Sequence, residues 1–341
     1  TLSGNLKYPD FRGHLQATNF SIARSAAPAA APGLSGLQFD SITADAAYGA
    51  GSLSVSAATL VQGKATIRFS GDIRGRRDSP KDLFADTSAL HATVQVNHAD
   101  LSQWIALTGK NLPVSGTLNL HAQAAGTIGD IDGSGYLILA GGSIEGEPYH
   151  LLTTSFALKD KTLSASHLVF TMDGGSVTGS GGYNLTTQEV SFDVRGSGFD
   201  LSHIRKLENH QYPVSGSFSF QARGSGALQN PSLQASAQIR NLRAAREFTG
   251  LVDLDAHTQD HTLLAHMTAH LNTSTLDLRS ETQLTGNYPT RASLNISRFN
   301  IDPLLRTFSV SGIQGSSSIA GIVTVSGPLK EPKQLSGDLR L

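Results

Sequence analysis

The sequence predicts an all-β fold: an elongated, repetitive, twisted antiparallel sheet curled into an open apolar trough, with one short helix per repeat of about 100 residues. Three observations carry this reading. Apolar and polar residues alternate with period 2 over many short segments, which is the signature of strands with one apolar face. Glycine supplies 35 of 341 residues, and charged residues only 16%, against roughly 7% and 25% in ordinary globular domains. Finally, a set of short motifs returns at intervals of about 100 residues, and long-range periodicity decides architecture.

The repeats can be followed from motif to motif. Asp100-Leu101-Ser102 returns as Asp200-Leu201-Ser202 and, loosely, as Asn300-Ile301-Asp302. Pro113-Val114-Ser115-Gly116 matches Pro213-Val214-Ser215-Gly216, and each opens an alternating run, Thr117 to Leu120 or Ser217 to Phe220. Gly126 and Gly226 follow. Related glycines at Gly4 and Gly327 lead to a second glycine at Gly13 and Gly337, as Gly126 leads to Gly135. Proline enters this turn at Pro9, Pro231 and Pro332, whereas Ile131 replaces it in one copy and Ala235 replaces the closing glycine in another. The expected units are 1–111 with its opening missing, 112–211, 212–311, and a truncated start at 312–341. The Ala/Pro-rich stretch at 25–33 reads as a flexible loop inserted in the first unit, and a chain opening on Thr1 reads as a piece of something longer.

Within the units, Ala65, Ile67 and Phe69 alternate with polar residues, as do Leu90, Ala92, Val94 and Val96, then Val190, Phe192 and Val194, then Ala292, Leu294 and Ile296. Asp173-Gly174, Gly181-Gly182 and Gly286-Asn287-Tyr288-Pro289 are the expected turns. A helical face is spaced along Leu101, Trp104 and Leu107, along Leu201, Ile204 and Leu207, and along Ile301, Leu304 and Phe308. Asp or Asn before each run suits an N-cap, because its oxygen accepts the first free amide hydrogens, and Pro303 is tolerated early in a helix. Trp104 reads as the anchor of its helix to the sheet.

Composition excludes several functions. With 26 basic and 27 acidic residues, there is no basic surplus of the kind that binds nucleic acid, and a hydrophobic content of 39% argues against disorder. The absence of cysteine removes thiolate catalysis, disulfides and cysteine-based zinc sites. No apolar run approaches the ~20 residues of a membrane-spanning helix, and the opening residues do not read as a signal peptide.

Several segments imitate chemical sites. His257/His261 and His266/His270 have the i, i+4 spacing that chelates zinc on a helix, but Ala265, Met267, Ala269 and Leu271 alternate as a strand and place His266, Thr268 and His270 on its polar face. Asp130 to Gly135 resembles a calcium loop, yet Gly141 stands where an EF-hand needs its bidentate acid; the segment reads as a turn. Arg74, Arg76 and Arg77, and Arg240, Arg243 and Arg246, read as solvated basic edges that also discourage aggregation, although such clusters can attract lipid phosphates. No nucleophile elbow, phosphate loop or triad is present. The expectation is no enzyme activity, no cofactor and no metal.

A one-sided sheet must bury its apolar face against helices, a second sheet, itself or a ligand, and one short helix per repeat cannot cover so many strands. The order Val-Ser-Gly plus alternating strand, Gly-x-[Leu/Ile] ahead of a Pro-containing turn, the Gly142 to Gly146 strand, and Asp-Leu-Ser before a helix resembles the repeats of the TamB and AsmA-like family of Gram-negative envelope proteins. The resemblance implies a β-taco whose concave face holds phospholipid acyl chains between inner and outer membranes. It also implies a periplasmic location, an inner-membrane anchor and, through a region outside this fragment, an outer-membrane BamA-type barrel as partner; nucleic acid is not expected as one. The expected groove is lined by Ile67, Phe69, Val94, Leu118, Leu120, Val190, Phe192, Val194, Phe218, Phe220, Leu294 and Ile296. The alternative reading is a secreted or surface β-solenoid scaffold or adhesin, but such coils repeat every 20 to 30 residues or so. A carbohydrate-active enzyme comes third, with no carboxylate pair to nominate.

Overall fold

The computed structural model describes residues 2–5, 8–22, 37–49, 51–75, 84–107, 112–204, 214–227, 230–244, 248–300 and 318–340. The chain forms two compact units, Thr1–Phe170 and Thr171–Leu341. The first contains β1 (Leu2–Asn5), β2 (Tyr8–Ile22), β3 (Leu37–Gly49), β4 (Ser52–Gln62), β5 (Ala65–Arg74), β6 (Ala89–Asp100), helix α1 (Leu101–Leu107), β7 (Thr117–Thr127), β8 (Asp130–Ile144) and β9 (Glu147–Lys159), and ends in β10 (Thr162–Met172). The second contains β11 (Gly175–Asn184), β12 (Glu189–Asp200), β13 (Val214–Ala227), β14 (Ser232–Ala244), β15 (Phe248–Gln259), β16 (Thr262–Leu271), β17 (Ser274–Gln283), β18 (Pro289–Asn300), β19 (Ser318–Pro328) and β20 (Ser336–Arg340).

The fold is all-β, as the alternation predicts. Within each unit the strands pair antiparallel with their chain neighbours as an up-and-down meander that does not close into a barrel. Period 2 makes the register decisive, because a slip of one residue would turn every apolar side chain to the other face. Ile67 is set opposite Val96 and Phe69 opposite Val94; Val94 faces Ala122 and Val96 faces Leu120 on the next strand.

Backbone conformation repeats at the interval seen in the motifs. His98, Gly198 and Arg298 have φ of 55°, 74° and 52°, and Asp160-Lys161 and Asp260-His261 form hairpin turns with positive φ at both residues. The first three sit at bulges, where the register shifts between Val96 and Ala99, Gly196 and Phe199, and Ile296 and Phe299. A bulge adds one residue to one strand, bends it and tightens its twist. The freed groups find partners: Asn119 Oδ1 accepts the His98 N–H at 3.0 Å, and Ser274 Oγ donates to the Arg298 carbonyl at 2.9 Å.

Burial follows the bulges. Val96, Ala99, Phe199 and Leu139, near the C-terminal ends of even-numbered strands, are buried, whereas their neighbours toward the other end of the strands are half-exposed. Ala65, Val96 and Ala99 form a small core against which Ile67, Val94, Trp104, Leu118 and Leu120 pack. Trp104 thus anchors α1 to the sheet, as its spacing predicts. Asp100 caps that helix: its Oδ1 accepts the Ser102 N–H at 2.9 Å and the Ser102 hydroxyl at 2.5 Å.

Several local expectations change. After Asp200 the described residues make a three-residue 3₁₀ turn, Leu201–His203, with Ile204 extended, although Asp200 accepts the Ser202 N–H at 2.9 Å in the same way; Leu207 lies outside the described residues. The segments after Asn300 and at 25–33, and Arg76, Arg77 and Arg246, lie outside the described residues. Gly181-Gly182 is not a turn but the middle of β11, with Gly181 directly opposite Phe192; the chain reverses at 185–187 instead. The turn near Asp130 is Ile128-Gly129, and Asp130 to Gly135 is extended strand, which spreads its acids instead of wrapping them round an ion.

Candidate functional site: the apolar sheet face

The register carries one apolar face across each unit. In the first unit a single transverse row runs Leu60, Ile67, Val96, Leu120, Leu137 from β4 to β8. The next row runs Ala58, Phe69, Val94, Ala122, Gly135, Phe156 and reaches β9. In the second unit, Phe220, Ala237, Leu254, Met267, Leu278, Leu294 and Val323 form one row from β13 to β19. Ile239, Val252, Ala269, Leu276 and Ile296 form the row beside it.

All the groove residues expected from the sequence fall on this face. Ile67, Phe69, Val94, Leu118 and Leu120 lie together in the first unit. In the second unit Val190, Phe192, Val194, Phe218 and Phe220 lie on β12 and β13, and Leu294 and Ile296 on β18. The alternation missed Leu60, Leu137, Phe156, Phe199, Leu254 and Leu278, whose membership follows from register: once one residue of a row is placed, its cross-strand partners are placed too.

The face is open. Among the described residues no large side chain is fully buried, and Phe69, Leu15 and Leu254 are 38%, 54% and 37% exposed. A filled interior packs to crystal-like density and buries its large side chains, so this face has apolar area that the described residues leave exposed.

Aromatic rings and glycines alternate across the strands. Phe156 lies opposite Gly135, Phe192 opposite Gly224 and Phe220 opposite Gly196, and in each pair the ring covers the glycine. Aromatic cover of a strand glycine restores the contact that the missing side chain leaves. Phe199, Phe218 and Phe220 cluster, with ring centroids 5.7 to 6.1 Å apart. Sequence reasoning placed glycines at hairpins; these lie mid-strand, and the only signal for them is the phenylalanine at the partner position.

The opposite face is polar. His266 Nε2 lies 2.7 Å from Asp277 Oδ2, and this hydrogen bond is the leading reason that the Asp277 carboxyl is held below its ordinary range. Asp277 also pairs with Arg279 at 3.2 Å. The histidine spacing produces no helix chelate: His257 is in β15, His261 is in a turn, and His266 and His270 are four strand residues apart, about 13 Å. Among the described residues no three His, Cys, Asp or Glu side chains group as a metal site, and no helix is long and apolar enough to cross a membrane. Arg74 pairs with Asp72 at 3.2 Å while remaining 71% exposed, a pair of small energetic weight.

Compared with family models, with curated proteins and with solved structures, the chain matches none.

Proposed function

We propose that the apolar face is a groove that shields lipid acyl chains, and that the chain is a segment of a TamB or AsmA-like protein carrying phospholipid between the membranes of a bacterial envelope. The single observation that supports this most is the half-buried apolar row that persists from strand to strand, for example Phe220, Ala237, Leu254, Met267, Leu278, Leu294 and Val323. Water leaves such a row at a gain of roughly 25 cal/mol per Å², and a flexible hydrocarbon chain lies along a continuous row without needing a specific polar pocket. The work needs no bond chemistry, so the residues that matter are those whose apolar area the acyl chain covers. On this reading the protein works in the periplasm, held at the inner membrane and reaching an outer-membrane BamA-type barrel through regions other than this one.

The test is mass spectrometry of lipid extracted from the purified protein, with Leu294→Asp, Phe192→Asp and Phe220→Asp variants alongside. Co-purifying phospholipid that falls severalfold in Leu294→Asp, at unchanged circular dichroism, is the expected result. Protein free of lipid, or equal loading in all the variants, would overturn the reading. Leu294 is the decisive position because its ring-free side chain covers no glycine.

A further inference from the structure

The polar face of the first unit differs from that of the second at matching places in the repeat. On the first, Gln95, His121, Tyr136 and Ser155 stand side by side across β6 to β9. One hundred residues later the same row reads Arg195, Gln221, Ser236 and Asp255. The adjoining row reads Thr93, Gln123, Ser134 and Ala157 on the first unit, but Asp193, Arg223, Gln234 and His257 on the second. Charge is the ordinary covering of a solvated sheet face, and it protects against sheet-to-sheet association. The first copy has lost each of these charges and gained a tyrosine.

That tyrosine is presented to solvent. Tyr136 is 49% exposed, with its ring 5.6 Å from the His121 ring and tilted by 30°. Its cross-strand and same-strand neighbours, His121, Ser155, Ser134 and Ile138, and the diagonal Asn119, Gln123 and Thr153, carry no carboxylate, ammonium or guanidinium. Beside it lies a recess of about 410 Å³ lined by Thr93, Gln123, Ser134 and Ala157, with His91, 3.8 Å from Asp72, and Asp132 and Lys159 at its far rim toward the hairpin end. The second unit has a recess at the same place, about 310 Å³, lined by Asp193, Arg223, Gln234, Asp255 and His257. The repeat therefore makes the concavity twice and fills its rim with different chemistry.

We propose that the polar face around Tyr136 binds an uncharged polysaccharide. An exposed ring stacks on the C–H face of a pyranose, as an aromatic with a polar handle does at wet interfaces, and amide and hydroxyl side chains match sugar hydroxyls as both donors and acceptors. A charged ligand would find no counter-ion among the residues directly around the ring, since Arg68 enters this row only on β5, opposite Gln95, and an apolar one would leave Gln95, Asn119 and Gln123 desolvated. The site lies on the face opposite the apolar groove, so it stands or falls independently of the lipid reading.

Affinity gel electrophoresis of the whole chain through gels containing hydroxyethylcellulose, dextran or galactomannan tests this. At least one polymer retards the chain. Tyr136→Ala weakens that retardation about tenfold, and Gln123→Arg, which copies the charge of the second unit, weakens it severalfold, both at unchanged circular dichroism. No retardation by any of the three, or retardation indifferent to both variants, overturns the proposal. So does self-association in sedimentation velocity that Tyr136→Ala abolishes without any retardation, because a second copy of the chain would then cover this face.

Discussion

Phe220 lies across Gly196, its partner on the neighbouring strand, so closely that a methyl group on residue 196 would overlap the ring. The pair is a matched unit: the small residue gives the ring a bed, and the ring gives the bare backbone its missing contact. Gly196→Ala forces the ring off its position and is expected to cost about 1–3 kcal/mol, the usual range for overpacking. Gly337→Ala is the control, since a methyl there meets only the Thr324 carbonyl at 3.7 Å. That substitution is expected to be neutral or to stabilise by about 0.4–1 kcal/mol through the unfolded chain. Urea unfolding of the two variants separates these outcomes, and equal costs would mean that the ring does not hold its place over the glycine.

The bulge positions form a natural comparison among themselves. His98, Gly198 and Arg298 share a left-handed backbone conformation, which costs an L-residue with a side chain roughly 1–2 kcal/mol and glycine little. Gly198→Ala is therefore expected to destabilise by about 1 kcal/mol, and Arg298→Gly to be neutral or stabilising. A destabilising Arg298→Gly, measured by thermal unfolding, would show that the arginine side chain stabilises the bulge by more than its backbone strain costs.

These positions also mark where sequence reading reached and where it stopped. Alternation identifies the face of Ile67, Val94 or Leu294 because a strand's period is a local property. It cannot identify Gly181 as mid-strand, because a glycine pair has the same local signature in a turn, and only the Phe192 opposite it decides. The helical spacing after Asp200 repeats that after Asp100, and the caps are alike, with Ser102 and Ser202 bonded to the preceding aspartate; yet Ile204 closes a 3₁₀ turn by donating its N–H to Leu201. A cap favours the start of a helix, but packing decides its length, and only the first copy has Trp104 seated on Ala65, Val96 and Ala99. The chemistry of the polar face was legible residue by residue, whereas the neutral patch around Tyr136 needed the register.

Trp104 carries a buried ring nitrogen that finds no hydrogen-bond partner among the described residues. An unpaired buried donor costs about 1–3 kcal/mol of desolvation, so Trp104→Phe removes that penalty while it gives up some contact area. The two effects are expected to offset within about 1 kcal/mol. Trp104→Ala removes the anchor altogether and is expected to cost about 2 kcal/mol or more. Unfolding followed by circular dichroism checks both, since the chain has a single tryptophan and these variants lose its fluorescence. A large loss in Trp104→Phe would mean that the indole N–H finds a partner in solution.

Tyr149 gives the clearest dependence on pH. It is 3% exposed, its hydroxyl donates to the Ser115 carbonyl at 2.7 Å, and burial pushes its pKa above the ordinary 10.0. Because the raised value belongs to the folded state, the stability it reflects is fully present below pH 10 and is lost as pH rises through the folded pKa. Among the seven tyrosines, Tyr149 should therefore ionise late in an alkaline titration followed by tyrosinate absorbance, and unfolding should accompany it. Tyr149→Phe removes the proton and also strands the Ser115 carbonyl, so it is expected to cost about 1–2 kcal/mol at neutral pH. The same variant should flatten the loss of stability above pH 10. An alkaline profile identical to that of the unaltered chain would place the late ionisation on another tyrosine.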